Sequence, residues 1–192
     1  MSTEFYNRNW RMPKSSNSSK VSNYSMSFDG TERVNLENSI DLGLNNTISI
    51  WVNLNSSYNG ILLGEDSYTY DYFIYARISF SSGFFVRIAG ALVNFTDVTT
   101  YLTAGSWHHL AIVRNGDSAE VFVDGISRGT NTGLGTSTNT KFDTIGAKPD
   151  GSLPISGKID HLAAFDYALS SSQITSLYGN STDGVGNPME LS

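Results

Sequence analysis

The sequence predicts an all-β fold: two antiparallel sheets packed as a sandwich, with one short helix near the end. Three observations point there. From Tyr24 onward, short runs of β-branched and aromatic residues recur, separated by Gly, Asn and Asp. Charged residues make up only 16% of the chain while Ser, Thr, Asn and Gly abound, a composition that suits turns and strands better than helices. No helical period alternates with the strands, so parallel βαβ units are excluded. A length of 192 residues fits one such domain, with a core that needs no covalent staple.

Residues 1–22 are polar and rich in Ser and Asn, and read as a lead or linker; the domain is expected over 23–179, and 180–192 as a Gly/Asn/Pro tail or linker. The clearest strand is Thr47–Leu54, where Ile48, Ile50, Val52 and Leu54 share one face and Thr47, Ser49, Trp51 and Asn53 the other. Gly60–Leu63 follows, then Tyr72–Phe80, then Phe84–Ala89 as the return arm after Ser81-Ser82-Gly83. His109–Arg114 and Glu120–Asp124 flank Asn115-Gly116-Asp117, a hairpin signal. Lys141–Ile145 and Lys158–Asp166 complete the expected set. The helix is expected at Ser171–Tyr178. Ser170 is placed as N-cap and Gln173 closes a capping box, Leu169 and Ile174 form the staple, and Gly179 ends it.

A formal charge of −6, with 12 basic residues spread along the chain, provides no footprint for nucleic acid and no basic face for anionic lipid. The absence of cysteine excludes disulfides, thiolate zinc sites and cysteine nucleophiles. Residues 1–22 lack the apolar core of a signal peptide, and no apolar run approaches the roughly 20 residues of a membrane helix. Neither nucleic acid nor membrane insertion is therefore expected.

Short motifs in a fixed order then carry a family resemblance. They are Ser27-Phe28-Asp29-Gly30, Thr47-Ile48-Ser49-Ile50-Trp51-Val52, Gly105-Ser106-Trp107-His108-His109-Leu110-Ala111, Val121-Phe122-Val123-Asp124-Gly125, and Gly157-Lys158-Ile159-Asp160 with Leu169-Ser170-Ser171-Ser172-Gln173-Ile174. Together, across roughly residues 24–178, they resemble the laminin-G-like, concanavalin A-like jelly roll. The resemblance implies a lectin-type or structural module, with calcium at the sandwich rim or beside the paired first and last strands. Most motif residues have a folding reason of their own. Asp29-Gly30 and Asp124-Gly125 suit turns with positive φ, and Trp107 is expected in the sandwich core.

Candidate sites are weighed on their chemistry. His108 and His109 are adjacent in a strand and point to opposite faces, so they cannot easily share one ion. His161 is expected at the core edge, on one face with Ile159, Ala163 and Phe165. Glycan-cleaving proteins of this fold resemble glycosidases with a Glu-x-Asp-x-x-Glu strand, which is lacking here. Glu120 and Asp124, four residues apart, would lie roughly 13 Å apart, beyond the 9.5 Å or so that paired-carboxylate hydrolysis tolerates. For calcium the candidates are Asp29 and Asp160 in the terminal-strand motifs, and Asp66 and Asp71 on a rim loop. For sugar they are Tyr58, Tyr68, Tyr70 and Tyr72, with Trp51 on the non-aliphatic face of its strand. The alternative for Trp51 and some tyrosines is cover by the terminal segments or the helix, and for each Asp a turn-shaping role.

The expected function is a non-catalytic carbohydrate-recognition module, calcium-assisted, of a larger extracellular or virion-surface protein. Its partner would be a glycan or cell-surface polysaccharide. The alternatives are a structural or protein-interaction domain that binds other copies or other surface proteins, and a divergent glycan hydrolase or lyase.

Overall fold

The structure, a computed structural model, describes residues 25–55, 59–65, 75–79, 83–88 and 91–179. These form two six-stranded antiparallel sheets. The strands in chain order are β1 (Met26–Asp29), β2 (Val34–Asp41), β3 (Asn45–Leu54), β4 (Asn59–Gly64), β5 (Tyr75–Ser79), β6 (Gly83–Ile88), β7 (Ala91–Phe95), β8 (Trp107–Asn115), β9 (Ser118–Val123), β10 (Ile126–Thr132), β11 (Lys141–Ile145) and β12 (Ser156–Phe165). A 3-10 turn, Val98–Tyr101, lies between β7 and β8, and an α-helix, α1 (Ser171–Tyr178), follows β12. One sheet runs β1-β12-β3-β8-β9-β10 and the other β2-β11-β4-β5-β6-β7. First and last strands are neighbours, as the resemblance implies.

The core lies between the sheets. Alternation in β3 sends Ile48, Ile50, Val52 and Leu54 inward, where they meet Leu110 and Ile112 of β8, Val121 and Val123 of β9, and Leu62, Leu63, Phe84 and Phe142 from the opposite sheet. A second apolar cluster sits on the outer face of the first sheet. There Ala111, Val113 and Phe122 are covered by Leu169, Ile174 and Leu177. That cover is α1, and its sequence explains its position. Ser170 Oγ accepts the Gln173 N–H, and Gln173 Oε1 accepts the Ser170 N–H at 2.9 Å. Leu169 and Ile174, buried on either side of this box, fix the entry angle.

Two turns follow their sequences closely. Asn115 pairs with Ser118 across Gly116-Asp117, with Gly116 at φ 60. Val123 pairs with Ile126 across Asp124-Gly125, both with positive φ, the requirement of a type I′ hairpin.

Two expectations are corrected. Trp107 is not a core residue: it shares the outward face of β8 with His109, Ala111 and Val113, and its side chain is 40% exposed. His161 is not at the core edge either. The pairing of β12 with β3 shifts between Asp160 and Ala163, so Ile159 and Ala163 face opposite sides of the sheet, and His161 sits exposed at φ 46 on the bulge.

Candidate functional site

Residues directly opposite one another in paired strands share a face of the sheet, so the registers place the outward side chains in rows. One row crosses four strands: Ser27 of β1 opposite Lys158 of β12, Lys158 opposite Asn53 of β3, and Asn53 opposite Trp107 of β8. Three gaps between strands make it about 14 Å long. Ser27, Lys158 and Trp107 are exposed and Asn53 is half-buried. Among the described residues no ion pair holds Lys158. The next row, two residues along, is Asp160–Trp51–His109. There the last residue of α1 closes over the sheet: Tyr178 stacks on Trp51 at 5.8 Å between ring centroids, tilted by 20°, and lies 6.0 Å from His109.

The loop before Trp107 is tied down from several sides. The Gly105 N–H donates to Leu54 O at 2.8 Å, and Asn53 Nδ2 donates to Gly105 O at 3.1 Å. His108, on the opposite face from Trp107, accepts the Thr103 N–H at Nε2 over 2.9 Å. Its Nδ1 therefore carries the proton of the neutral ring, which it donates to Asp124 Oδ2 at 2.8 Å. Asp124 Oδ1 also accepts the His109 N–H at 3.0 Å. Asp124, Thr103 and the two histidines thus hold the Trp107 strand end rigidly while leaving its indole in water.

His109 has a different environment. It is fully buried, its Nε2 lies 2.8 Å from Ser49 Oγ, and its Nδ1 has no hydrogen-bond partner among the described residues. Burial lowers its pKa from 6.5 to about 4, with the Asp124 charge opposing that shift. In the unfolded chain the imidazole takes up its proton near 6.5, in the folded chain only near 4, so the unfolded state binds more protons between these values. Stability present at neutral pH is then lost as pH falls from 6.5 to about 4. The expected loss is on the order of 3 kcal/mol. Urea midpoints at neutral pH and at pH 4, compared between the wild type and His109→Gln, check this. A pH dependence equal in both proteins would rule out His109 as its source.

The sequence-derived candidates fare unequally. Tyr58, Tyr68, Tyr70, Tyr72, Asp66 and Asp71 lie outside the described residues. Trp51 does point outward, but Tyr178 of the helix occupies one face of its ring, the covering alternative. Asp29 and Asp160 are not brought together. The β1–β12 register sets Asp29 opposite Ser156, four residues from Asp160 along β12, or roughly 13 Å. Asp29 Oδ1 accepts the N–H and hydroxyl of Thr31, and Asp160 Oδ1 accepts the His161 N–H. Both carboxylates shape local turns or bulges, and this pair does not fit one calcium ion. Among the described residues no group of three or more His, Asp or Glu converges as a metal cluster. Glu120 and Asp124 stay apart as their spacing implied: Asp124 is engaged by the histidines, whereas Glu120 accepts the Ser127 hydroxyl. Trp107 and Lys158 were the residues missed. Counting alternation through Trp107-His108-His109-Leu110, with Leu110 inward, would have turned Trp107 outward.

A family model described as the concanavalin A-like lectin/glucanases superfamily, laminin G type, matches residues 28–175. The chain belongs to that superfamily. No curated protein matches it at the sequence level. Among solved structures it is similar to domain 4 of an extracellular arabinanase from Geobacillus stearothermophilus, solved in complex with arabinotriose. The two are 18% identical with a TM-score of 0.61, over 80% of this chain and 75% of that one. It is also similar to the heptameric SAP-like pentraxin from Limulus polyphemus, at 17% identity and TM-score 0.61, over 88% and 89% of the chains. Mouse laminin alpha1 domains LG4-5 align at 22% identity and TM-score 0.56, over 76% of this chain and 44% of theirs. At these identities the superfamily likeness is one of fold. No helix among the described residues is long and apolar enough to cross a membrane.

Proposed function

We propose that this superfamily member is a carbohydrate-recognition module without catalytic chemistry of its own, acting outside the cell or on a virion surface. The observation that carries the reading is Trp107: a large apolar ring 40% exposed on the outer face of the sheet, in register with Asn53, Lys158 and Ser27. An indole face suits the C–H face of a sugar ring, and the row beside it supplies an amide, an ammonium and a hydroxyl for sugar hydroxyls. The arabinotriose held by domain 4 of the arabinanase supports this reading.

Hydrolysis is disfavoured by spacing. Asp160 and Asp124 bracket Trp51 and His109 across three strand gaps, about 14 Å, where paired-carboxylate chemistry needs at most about 9.5 Å. The reading is tested on a glycan array probed with the purified protein, in calcium and again in chelator. Binding to a coherent set of sugars is expected, weakened at least tenfold by Trp107→Ala with the melting temperature nearly unchanged, because the ring is exposed. Loss in chelator would assign calcium to the site. Silence from folded protein in both conditions would favour the structural alternative, for which the heptameric assembly of the pentraxin is a precedent of the same fold, and light scattering would then decide it.

A further inference from the structure

The outer face of the first sheet holds a concavity on the far side of α1 from Trp107. It is a groove of about 460 Å³ between the first turn of the helix and strands β8, β9 and β10. Its floor is apolar, with Val113 and Leu169 both buried. Its walls are polar: Ser118, Glu120 and Thr130 from the sheet and Ser171 from the helix. One oxygen of Glu120 accepts the Ser127 hydroxyl. No hydrogen bond among the described residues occupies the other oxygen or the Thr130 hydroxyl.

The chemistry of the lining narrows the ligand. An anion is disfavoured, because a carboxylate lines the groove and no Lys, Arg or His does. A metal ion is disfavoured too, because Glu120 is the one ionisable ligand in the lining. An apolar floor with hydroxyl and carboxylate walls matches a ligand with one C–H face and an edge of hydroxyls. We propose that this groove is a second, independent binding site that takes a neutral sugar. Val113 lies six residues from Trp107 along β8, about 20 Å, with the helix between, so neither site needs the other. The module would hold two points of a glycan, or two glycans, on one face.

The test is an amide-resolved NMR titration of the full chain with neutral methyl glycosides of glucose, galactose and arabinose, and with glucuronate as the charged control. Saturable shifts at Ser118, Glu120 and Thr130 are expected with at least one neutral glycoside. They should persist in Trp107→Ala and weaken about tenfold or more in Glu120→Ala, which removes hydrogen bonds to a charged acceptor. Thr130→Val, at an exposed edge position, is the second variant should Glu120→Ala fold poorly. Shifts confined to Asn53, Lys158 and Trp107 would overturn the groove and leave the first site standing. Shifts at the groove alone would do the reverse. Silence at the groove with every neutral glycoside, or a response there to glucuronate only, overturns the proposal.

Discussion

Replacing Arg114 with Leu is expected to cost about 3–5 kcal/mol of stability, enough to unfold a domain of ordinary stability at elevated temperature. Arg114 is the last inward residue of β8 and is 1% exposed, so its guanidinium plugs the end of the core. Nε donates to Gly116 O at 2.9 Å, Nη1 to Thr138 O at 2.9 Å and to Thr140 Oγ1 at 3.1 Å, and Nη2 to Gly135 O at 2.9 Å. Its neighbour Asp117 holds the same segment from outside, accepting the Gly133 and Gly135 N–H groups. Burial lowers the pKa of Arg114, and the Asp117 charge opposes that shift. Leucine fills part of the volume but leaves three carbonyls and a hydroxyl without their donor, and each such loss is expensive. Lysine keeps the charge yet cannot fan out to acceptors in several directions, so it should recover only part of the loss. Urea unfolding reads the difference as a shifted midpoint at constant slope. A loss below about 1 kcal/mol for Leu would show that the plug contributes little.

Gly157→Ala should be nearly as damaging, at about 3–4 kcal/mol, for a reason invisible in side-chain contacts. Gly157 sits in β12 between Phe28 of β1 and Leu54 of β3, at φ 146. A Cβ there would overlap the carbonyl oxygen of Asn53 and stand 2.8 Å from the Cα of Leu54. Both are backbone atoms of a central strand that cannot swing aside, so β3 and β12 must separate. Gly133→Ala is the matched control. Its φ of 116 carries the conformational strain, but nothing lies within 4 Å of the added atom. Only about 1 kcal/mol is expected there. Equal losses at the two positions would mean that strain alone, and not the close approach of β12 to β3, explains the glycine.

The strands plainest in the sequence lie mostly in the interior of the two sheets. β3, β8, β9, β11 and β12 appear as runs of alternating or continuous apolar residues, and α1 appears at its own bounds because its caps are local. The strands absent from the sequence reading, β2, β7 and β10, are all sheet edges. β2 and β10 expose most of their residues, and β10 carries Gly129 and a register shift between Ser127 and Thr130, so no alternation survives to be seen. The same physics explains the site. His161 was misplaced because a bulge reverses facing with no mark in the residue pattern. Trp107 was misplaced because a motif tryptophan beside an apolar run invites a core assignment that only its position in the alternation contradicts. The separation of Asp29 from Asp160 is a matter of register between strands more than a hundred residues apart, which no local pattern encodes.

The closing of α1 over Trp51 has a mechanical consequence. Ser25, just before β1, lies level with Asp160, which is paired with Trp51, while Tyr178 is stacked on that same Trp51. The described polypeptide therefore begins and ends at one corner of the sandwich, two strands apart. Tension applied between Ser25 and Tyr178 would meet that corner first, at the Tyr178–Trp51 stack and at the pairing of β1 with β12, before it reached the rest of either sheet.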